Sequence, residues 1–419
     1  MKDAEIIVNI NKLIDYSETQ TGVYAFSDKK SCVVQFSSYV EKINQVVSFR
    51  ISDEHTTLYH ETFYAIFNKG NIKERFVIKT VSKKFHAFWF DAKVNGKSIT
   101  EREYSKFING MIMAKCESVS IFHKVFGLEV KNDEPIKVGC FTFYNAYQHK
   151  EQILKRTGYP SWDAMFESHS EFQNHETWIS VDIDAVDNEK AYEIACQHFE
   201  VFQGMCQFIF DIEGYNAYAV CVLNDIVPTH DRCYMFSETH AYDKGESGFR
   251  RSYNIEIQQL IHDTNHLFQH LLNRIFLLDK NVVNNRLRNA FATYGRIIHE
   301  HSDAQKFVMY ITAIESLVGY DCPNLAELIA DFLSGVISKN LEEFNISKEH
   351  FKKIYDIRSD VSHGSEINVL SGDLLYAKWY AMDLIRKFVS DREIEHFTNN
   401  SDLKTHLESK KIRLSMQRD

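Results

Sequence analysis

The sequence predicts an α+β protein, with an N-terminal mixed α/β region of antiparallel strands and a C-terminal all-α helical bundle. Three observations carry this. Residues 23–94 hold short runs, rich in β-branched and aromatic residues, that alternate in the way strands do. From residue 253 onward every segment spaces its apolar residues at helical intervals. Only 4 prolines and 16 glycines occur in 419 residues, which argues against long disordered linkers, and a hydrophobic share of 44% is ample for real cores. A chain of this length calls for two or three domains. The pattern divides it into a β-rich N-terminal domain at 1–150, an α/β second unit at 151–235 and a helical domain at 250–419.

In order along the chain, strands are expected at 33–36, 46–51, 63–67, 76–81 and 85–90, with turns at 68–71 and 95–97. A helix follows at 101–122 and a strand near 136–144. In the second unit, 178–183 reads as a strand. Residues 187–208 read as a helix on the apolar positions Ala191, Ile194, Ala195, Phe199 and Phe202, and 215–222 as another strand. The polar segment 231–248, with two glycines near its end, is the expected linker. Beyond it helices are expected at 255–278, 281–299, 302–317, 324–340, 347–362 and 371–395. Ser302 opens a capping box with Gln305, and Gly319 stops the helix it starts.

The net charge of −10 means that the surface as a whole does not advertise a nucleic-acid binder, so any RNA contact must come from local basic patches. The 8 cysteines form no CxxC pair and no regular framework, which points to a reducing cytoplasm. The N-terminus lacks the apolar core of a signal peptide, and no run of about 18 apolar residues occurs. The expectation is a cytoplasmic protein with no membrane partner and no cofactor. The high aromatic share, 13%, is first a statement about packing.

The helix at 347–362 carries the most informative residues. Ser347 is placed to cap it, Glu349 lies in its first turn, and Gly364 follows its last periodic residue. Phe351, Ile354 and Val361 should face a core, and Arg358 lies on the same stripe. A cation there must snorkel or meet a carboxylate, because an unpaired buried charge is too costly. Glu315 sits beside the stripe Phe307, Ile311, Ile314 and Val318 of an earlier helix, and a half-buried acid wants a cation. Glu315 and Arg358 are therefore expected to pair, either as a plain structural ion pair or as part of a site. His363, at the helix C-terminus, is the residue type for general acid/base work; the bland alternative is a surface histidine beside a glycine cap.

The spacing of Arg358 and His363, inside Ile357-Arg-Ser-Asp-Val-Ser-His-Gly364, resembles the Arg-X4-6-His signature of the HEPN superfamily. The surroundings look most like the Apea-like HEPN group of phage-defence proteins, and the resemblance covers roughly residues 251–419. It implies a metal-independent endoribonuclease whose paired HEPN domains face their Arg and His across a homodimer, in antiviral, abortive-infection defence. It also implies catalytic roles for Arg358 and His363, and for Glu315 as the acid that orients the arginine. Ser359 falls at the position that the wider superfamily often fills with Asn, Asp or His. The implied reaction is attack of a ribose 2′-OH on the adjacent phosphorus, leaving 2′,3′-cyclic phosphate and 5′-OH ends on tRNA or another RNA. The N-terminal region would then sense a trigger, phage-derived in that setting. The alternative is a non-catalytic HEPN module that binds RNA, a nucleotide or a partner protein. A toxin neutralised by a nucleotidyltransferase fits less well, because that subgroup usually has a Tyr two residues after the motif His, where this chain has Ser365.

Two further features invite a reading. His262, His266 and His270 fall four apart, and His262-Asp-Thr-Asn-His266 is similar to a zinc-binding HExxH helix. Asp263 replaces its catalytic Glu and no third ligand is indicated, so a solvated or dimer-facing stripe is the better expectation and no metal is assigned. Basic residues cluster at 69–97, interleaved with aromatics, and in the tail at Lys404, Lys410, Lys411 and Arg413. Either stretch suits phosphates. The first reads better as the solvated face of a sheet, and the tail, beside the HEPN-like region, is the assigned RNA contact.

Overall fold

The fold comes from a computed structural model that describes residues 1–21, 32–40, 45–157, 176–215, 218–222, 230–236, 241–247, 254–277, 281–319, 325–363, 369–391, 394, 397 and 399–416. The protein is mixed α+β, with antiparallel strands near the N-terminus and helices toward the C-terminus. It divides into two compact units, one of Met1–Val119 with Ile183–Ile194 and one of Ser120–Asp182 with Ala195–Asp419.

The first unit contains helix α1 (Asp3–Tyr16), strands β1 (Glu18–Thr21), β2 (Cys32–Val40) and β3 (Gln45–Ser52), and helices α2 (Thr56–Phe67), α3 (Ile72–Arg75), α4 (Ile78–Val94) and α5 (Glu101–Ile112). The sheet order is β1-β3-β2, antiparallel throughout. Arg50 on β3 is buried and bonds Glu18 on β1 through Nε (2.8 Å) and Nη2 (2.6 Å), which fixes their register. The core joins the sheet to the helices through Phe49, whose ring meets Trp89 at 4.5 Å and Phe90 at 5.2 Å.

Three expected strands are helices. Residues 63–67 close α2, and 78–81 and 85–90 lie in α4. The aromatic residues there suggested β-propensity, but propensity yields to packing. Ile78–Val94 runs 17 residues without Gly or Pro, too long for an ordinary strand, and buries Val81, Phe85 and Trp89 one helical turn apart. The expected turns are present at Gly70 (φ +56°) and Gly96 (φ +62°). The basic stretch is accordingly no sheet face. Lys69 pairs with Asp3, Lys79 with Glu189, and Lys93 donates to the Ile14 carbonyl. Arg75 donates to the carbonyls of Ile112 and Ala114 at the end of α5.

A titratable group in this core gives the unit a pH dependence. Burial lowers the His86 imidazole to about 4, and a 2.8 Å hydrogen bond joins its Nε2 to the Tyr59 hydroxyl. Below its ordinary value of 6.5 the unfolded chain takes up a proton that the folded chain refuses. The contribution is therefore complete above about 6.5 and is lost as the pH falls toward about 4. It amounts to at most roughly 3 kcal/mol. Unfolding midpoints of wild type and His86→Gln, compared from pH 7 to pH 4, should converge as the pH drops. Parallel curves would contradict a buried neutral histidine, since the carboxylates titrate alike in both chains.

The second unit begins with a four-stranded sheet. Its strands are β4 (Glu117–Val125), β6 (Ile136–Val138), β7 (Phe141–Asn145) and β8 (Thr177–Ala185), in the order β4-β8-β7-β6, with β6–β7 and β7–β8 antiparallel. The expected helix at 101–122 thus ends at Ile112, and its last residues are strand. Strand β5 (Leu128–Glu129) and helix α6 (Lys150–Thr157) complete this part. Helix α7 (Asn188–Glu213) packs Phe199 and Phe202 against Phe141, with ring centroids 6.1 and 5.1 Å apart. Among the described residues of the expected strand at 215–222, Cys221 forms an antiparallel bridge with Phe126. Within the expected linker, β9 (His230–Phe236) and β10 (Ala241–Ser247) pair antiparallel, a pairing that the polar composition concealed.

Strand β11 (Ile255–Glu256), in a segment expected to be helical, pairs parallel with β5. Helices α8 (Ile257–Asp263) and α9 (Leu267–Phe276) replace the single expected helix, broken where Asn265 (φ +48°) and His266 (φ +63°) turn left-handed. The three histidines therefore do not share one helical face, and among the described residues no His/Cys/Asp/Glu group is arranged to hold a metal ion. The bundle continues with α10 (Val282–Arg296), α11 (Asp303–Val318), α12 (Leu325–Ile337), α13 (Leu341–Ser362), α14 (Ser371–Ser390) and α15 (Asn400–Met416). No described helix is long and apolar enough to cross a membrane.

Candidate functional site

Helix α11 lies at the centre of the bundle, packed against α10, α13 and α14. It buries Phe307, Tyr310, Ile311, Ala313, Ile314, Leu317 and Val318. Ser302 caps its start by accepting from the Gln305 N–H, and Arg286 on α10 closes its end by donating to the carbonyls of Leu317 (2.8 Å) and Gly319 (3.0 Å). Glu315 is the one charged residue in the last two turns of this helix. A carboxylate so placed must be met by donors, and α13 supplies them.

Helix α13 begins six residues earlier than its sequence suggested. Asn340, not Ser347, is its N-cap: its side chain accepts from the Glu343 N–H at 2.9 Å, while Glu343 Oε2 accepts from the Lys339 N–H at 2.8 Å. Phe351 and Ile354 are buried as expected, whereas Val361 is only half-buried. The helix is held to α12 by Lys348, which meets Glu327 (2.5 Å) and Asp331 (2.7 Å), and by Lys352, which meets Glu327 (2.7 Å). Hydrogen bonds from these two lysines depress the Glu327 carboxyl to about 2. Against α14, His350 Nδ1 lies 2.8 Å from the Tyr380 hydroxyl.

With both helices fixed, Arg358 Nη2 donates to Glu315 Oε2 at 3.1 Å, and the Tyr355 hydroxyl donates to Glu315 Oε1 at 2.7 Å. The guanidinium carbon stands 5.7 Å from the centre of the Tyr355 ring, within range of a cation–π contact. Burial, and after it the bond to Glu315, push the Tyr355 phenol up to about 12, against the pull of Arg358. The hydroxyl is thus a neutral donor throughout the working range of pH. A guanidinium has five N–H donors, and among the described residues Arg358 bonds through one of them. Its Nε is buried without a partner among the described residues. Side-chain exposures of 28% for Arg358 and 17% for Glu315 leave the arginine within reach of a ligand while the acid is mostly covered.

The other sequence-derived site residues are placed differently. His363 is the C-cap of α13: its N–H donates to the Ser359 carbonyl at 3.0 Å, and its side chain is exposed. The imidazole makes no hydrogen bond or ion pair with Arg358 or Glu315. On a regular helix, residues five apart point about 140° from one another. Ser359 is half-buried between the two. Helix α15 packs on α12 and α13 through the buried Leu403, so the basic tail belongs to the same bundle. Lys404 and Arg413 are exposed on it, and the side chains of Lys410 and Lys411 lie outside the described residues.

Tyr355 is the residue that sequence reasoning missed. Its signal was available: it precedes Arg358 by three positions, so the two are neighbours on one helix face. Against models of known protein families, against curated proteins and against solved structures, the chain finds no match.

Proposed function

We propose that the protein is a HEPN-type, metal-independent endoribonuclease that works as a homodimer in abortive-infection defence, its N-terminal region responding to a trigger of phage origin. The observation that carries this reading is the anchored but under-used guanidinium of Arg358, on the helix that ends in the exposed His363. In the reaction, His363 removes the proton of a ribose 2′-OH, whose oxygen bonds to the adjacent phosphorus. Arg358 stabilises the charge of the phosphorane, and the bond from phosphorus to the 5′-oxygen breaks as that oxygen takes a proton from water. RNA is the substrate because DNA lacks the nucleophile. Lys404 and Arg413, with Lys410 and Lys411, would track the phosphate backbone.

Only Arg and His take part in this chemistry, so purified protein should cut RNA in excess EDTA and leave 2′,3′-cyclic phosphate and 5′-OH ends. Activity that vanishes with chelator and returns with Mg²⁺, or ends of the opposite polarity, would overturn the mechanism. RNA binding without cleavage would favour the non-catalytic module.

A further inference from the structure

We infer that Tyr355 is a positioning residue: by bonding one oxygen of Glu315, it orients that carboxylate to meet Arg358 with its other oxygen alone and leaves the outer N–H groups of the guanidinium to an anionic ligand. For its effect on catalysis this rests on the ribonuclease reading; the arrangement itself rests on geometry alone. A carboxylate and a guanidinium left to themselves favour the two-pronged pairing, two parallel N–H bonds to two oxygens. Here that pairing does not form. Oε1 of Glu315 accepts from the Tyr355 hydroxyl at 2.7 Å, which orients the carboxylate, and Arg358 bonds Oε2 alone, through Nη2 at 3.1 Å.

The consequence is visible on the arginine. Its Nε is buried with no acceptor among the described residues, a state that costs stability and that a side-on grip through Nε and Nη2 would relieve. The Tyr355 ring, 5.7 Å from the guanidinium carbon, also limits where the group can swing. Both restraints come from the residue three positions before the arginine, so they move with it as one rigid turn of α13. Three side chains thus form a relay in which tyrosine holds the acid and the acid holds the arginine by one edge.

Tyr355→Phe keeps the ring and removes the hydroxyl. Glu315 is then free to close on Arg358 with both oxygens and to draw its donors away from the phosphate. Two measurements on the full chain test this. In the first, cleavage of a defined RNA by the variant should fall about 10- to 100-fold in kcat with KM little changed, as suits a displaced catalytic group, while the thermal midpoint stays near that of wild type. A variant as fast as wild type would overturn the inference. In the second, which needs no activity, the guanidinium ¹⁵N signals of Arg358 are compared between wild type and Tyr355→Phe. They should shift as Nε gains an acceptor, and unchanged signals would overturn the inference even if RNA is cleaved. If wild type cuts no RNA but the signals shift, the ribonuclease reading fails and the arrangement around Arg358 stands.

Discussion

Gly204→Ala should destabilise the second unit by about 3 kcal/mol, and Gly204→Val by more. Helices α7 and α10 cross at Gly204 and Gly295 with their backbones in contact. A Cβ at Gly204 would lie 1.7 Å from the Phe291 carbonyl oxygen and 2.9 Å from the Gly295 nitrogen. A Cβ at Gly295 would meet the Gly204 nitrogen at 2.7 Å. Backbone atoms cannot swing aside as a side chain can, so the helices must part. The separation would also strain the buried Gln203, which donates to the Gly295 carbonyl at 2.7 Å and accepts from the Val222 N–H at 3.0 Å. Alanine is a better helix former than glycine by about 1 kcal/mol, which offsets only part of this. The control is Gly110→Ala on α5, where the added methyl meets nothing within 4 Å. That change should stabilise the protein by about 0.5–1 kcal/mol. Urea midpoints of the two variants should move in opposite directions, and a Gly204→Ala chain as stable as wild type would contradict the close crossing.

That contact could not be read from the sequence, because nothing local to Gly204 says that a helix some ninety residues further on will lie against it. The Glu315–Arg358 pair was legible for the opposite reason. Each charge sits on an apolar stripe of its own helix, so each announces a partner, and the candidates within the helical region are few. Tyr355 was passed over because a tyrosine on an amphipathic helix is ordinarily packing, and its hydroxyl gains meaning only once Glu315 is placed beside it. The start of α13 is legible in principle: Asn340 followed by Glu343 is a capping signature that competes with Ser347.

The first unit shows where pattern reasoning fails more broadly. Residues 63–67 and 85–90 are so aromatic that they mimic strands, and only the length of the uninterrupted segment argues for a helix. The paired strands β9 and β10 fail the other way: their charged residues make them look like a linker, although Tyr234, Phe236 and Tyr242 are good strand formers. In both cases tertiary pairing decided what composition left open.

In the proposed mechanism, Arg358 of one chain and His363 of another complete a single RNA-cleaving site. The geometry within one chain motivates it. Arg358 is drawn toward α11 by Glu315, whereas His363 is exposed at the end of α13 without a bond to either residue. A two-fold interface sets the same surface of two chains face to face, which can bring arginine to histidine in both directions. Arg358→Ala and His363→Ala should each slow cleavage by about 10²–10⁴-fold as homodimers. The direct measurement is to mix the two inactive chains, let them exchange, and assay the heterodimers after confirming them by mass. One composite site then lacks both residues and the other keeps both, so the account predicts recovery approaching half the wild-type rate per heterodimer. Heterodimers as slow as either parent would contradict the shared site.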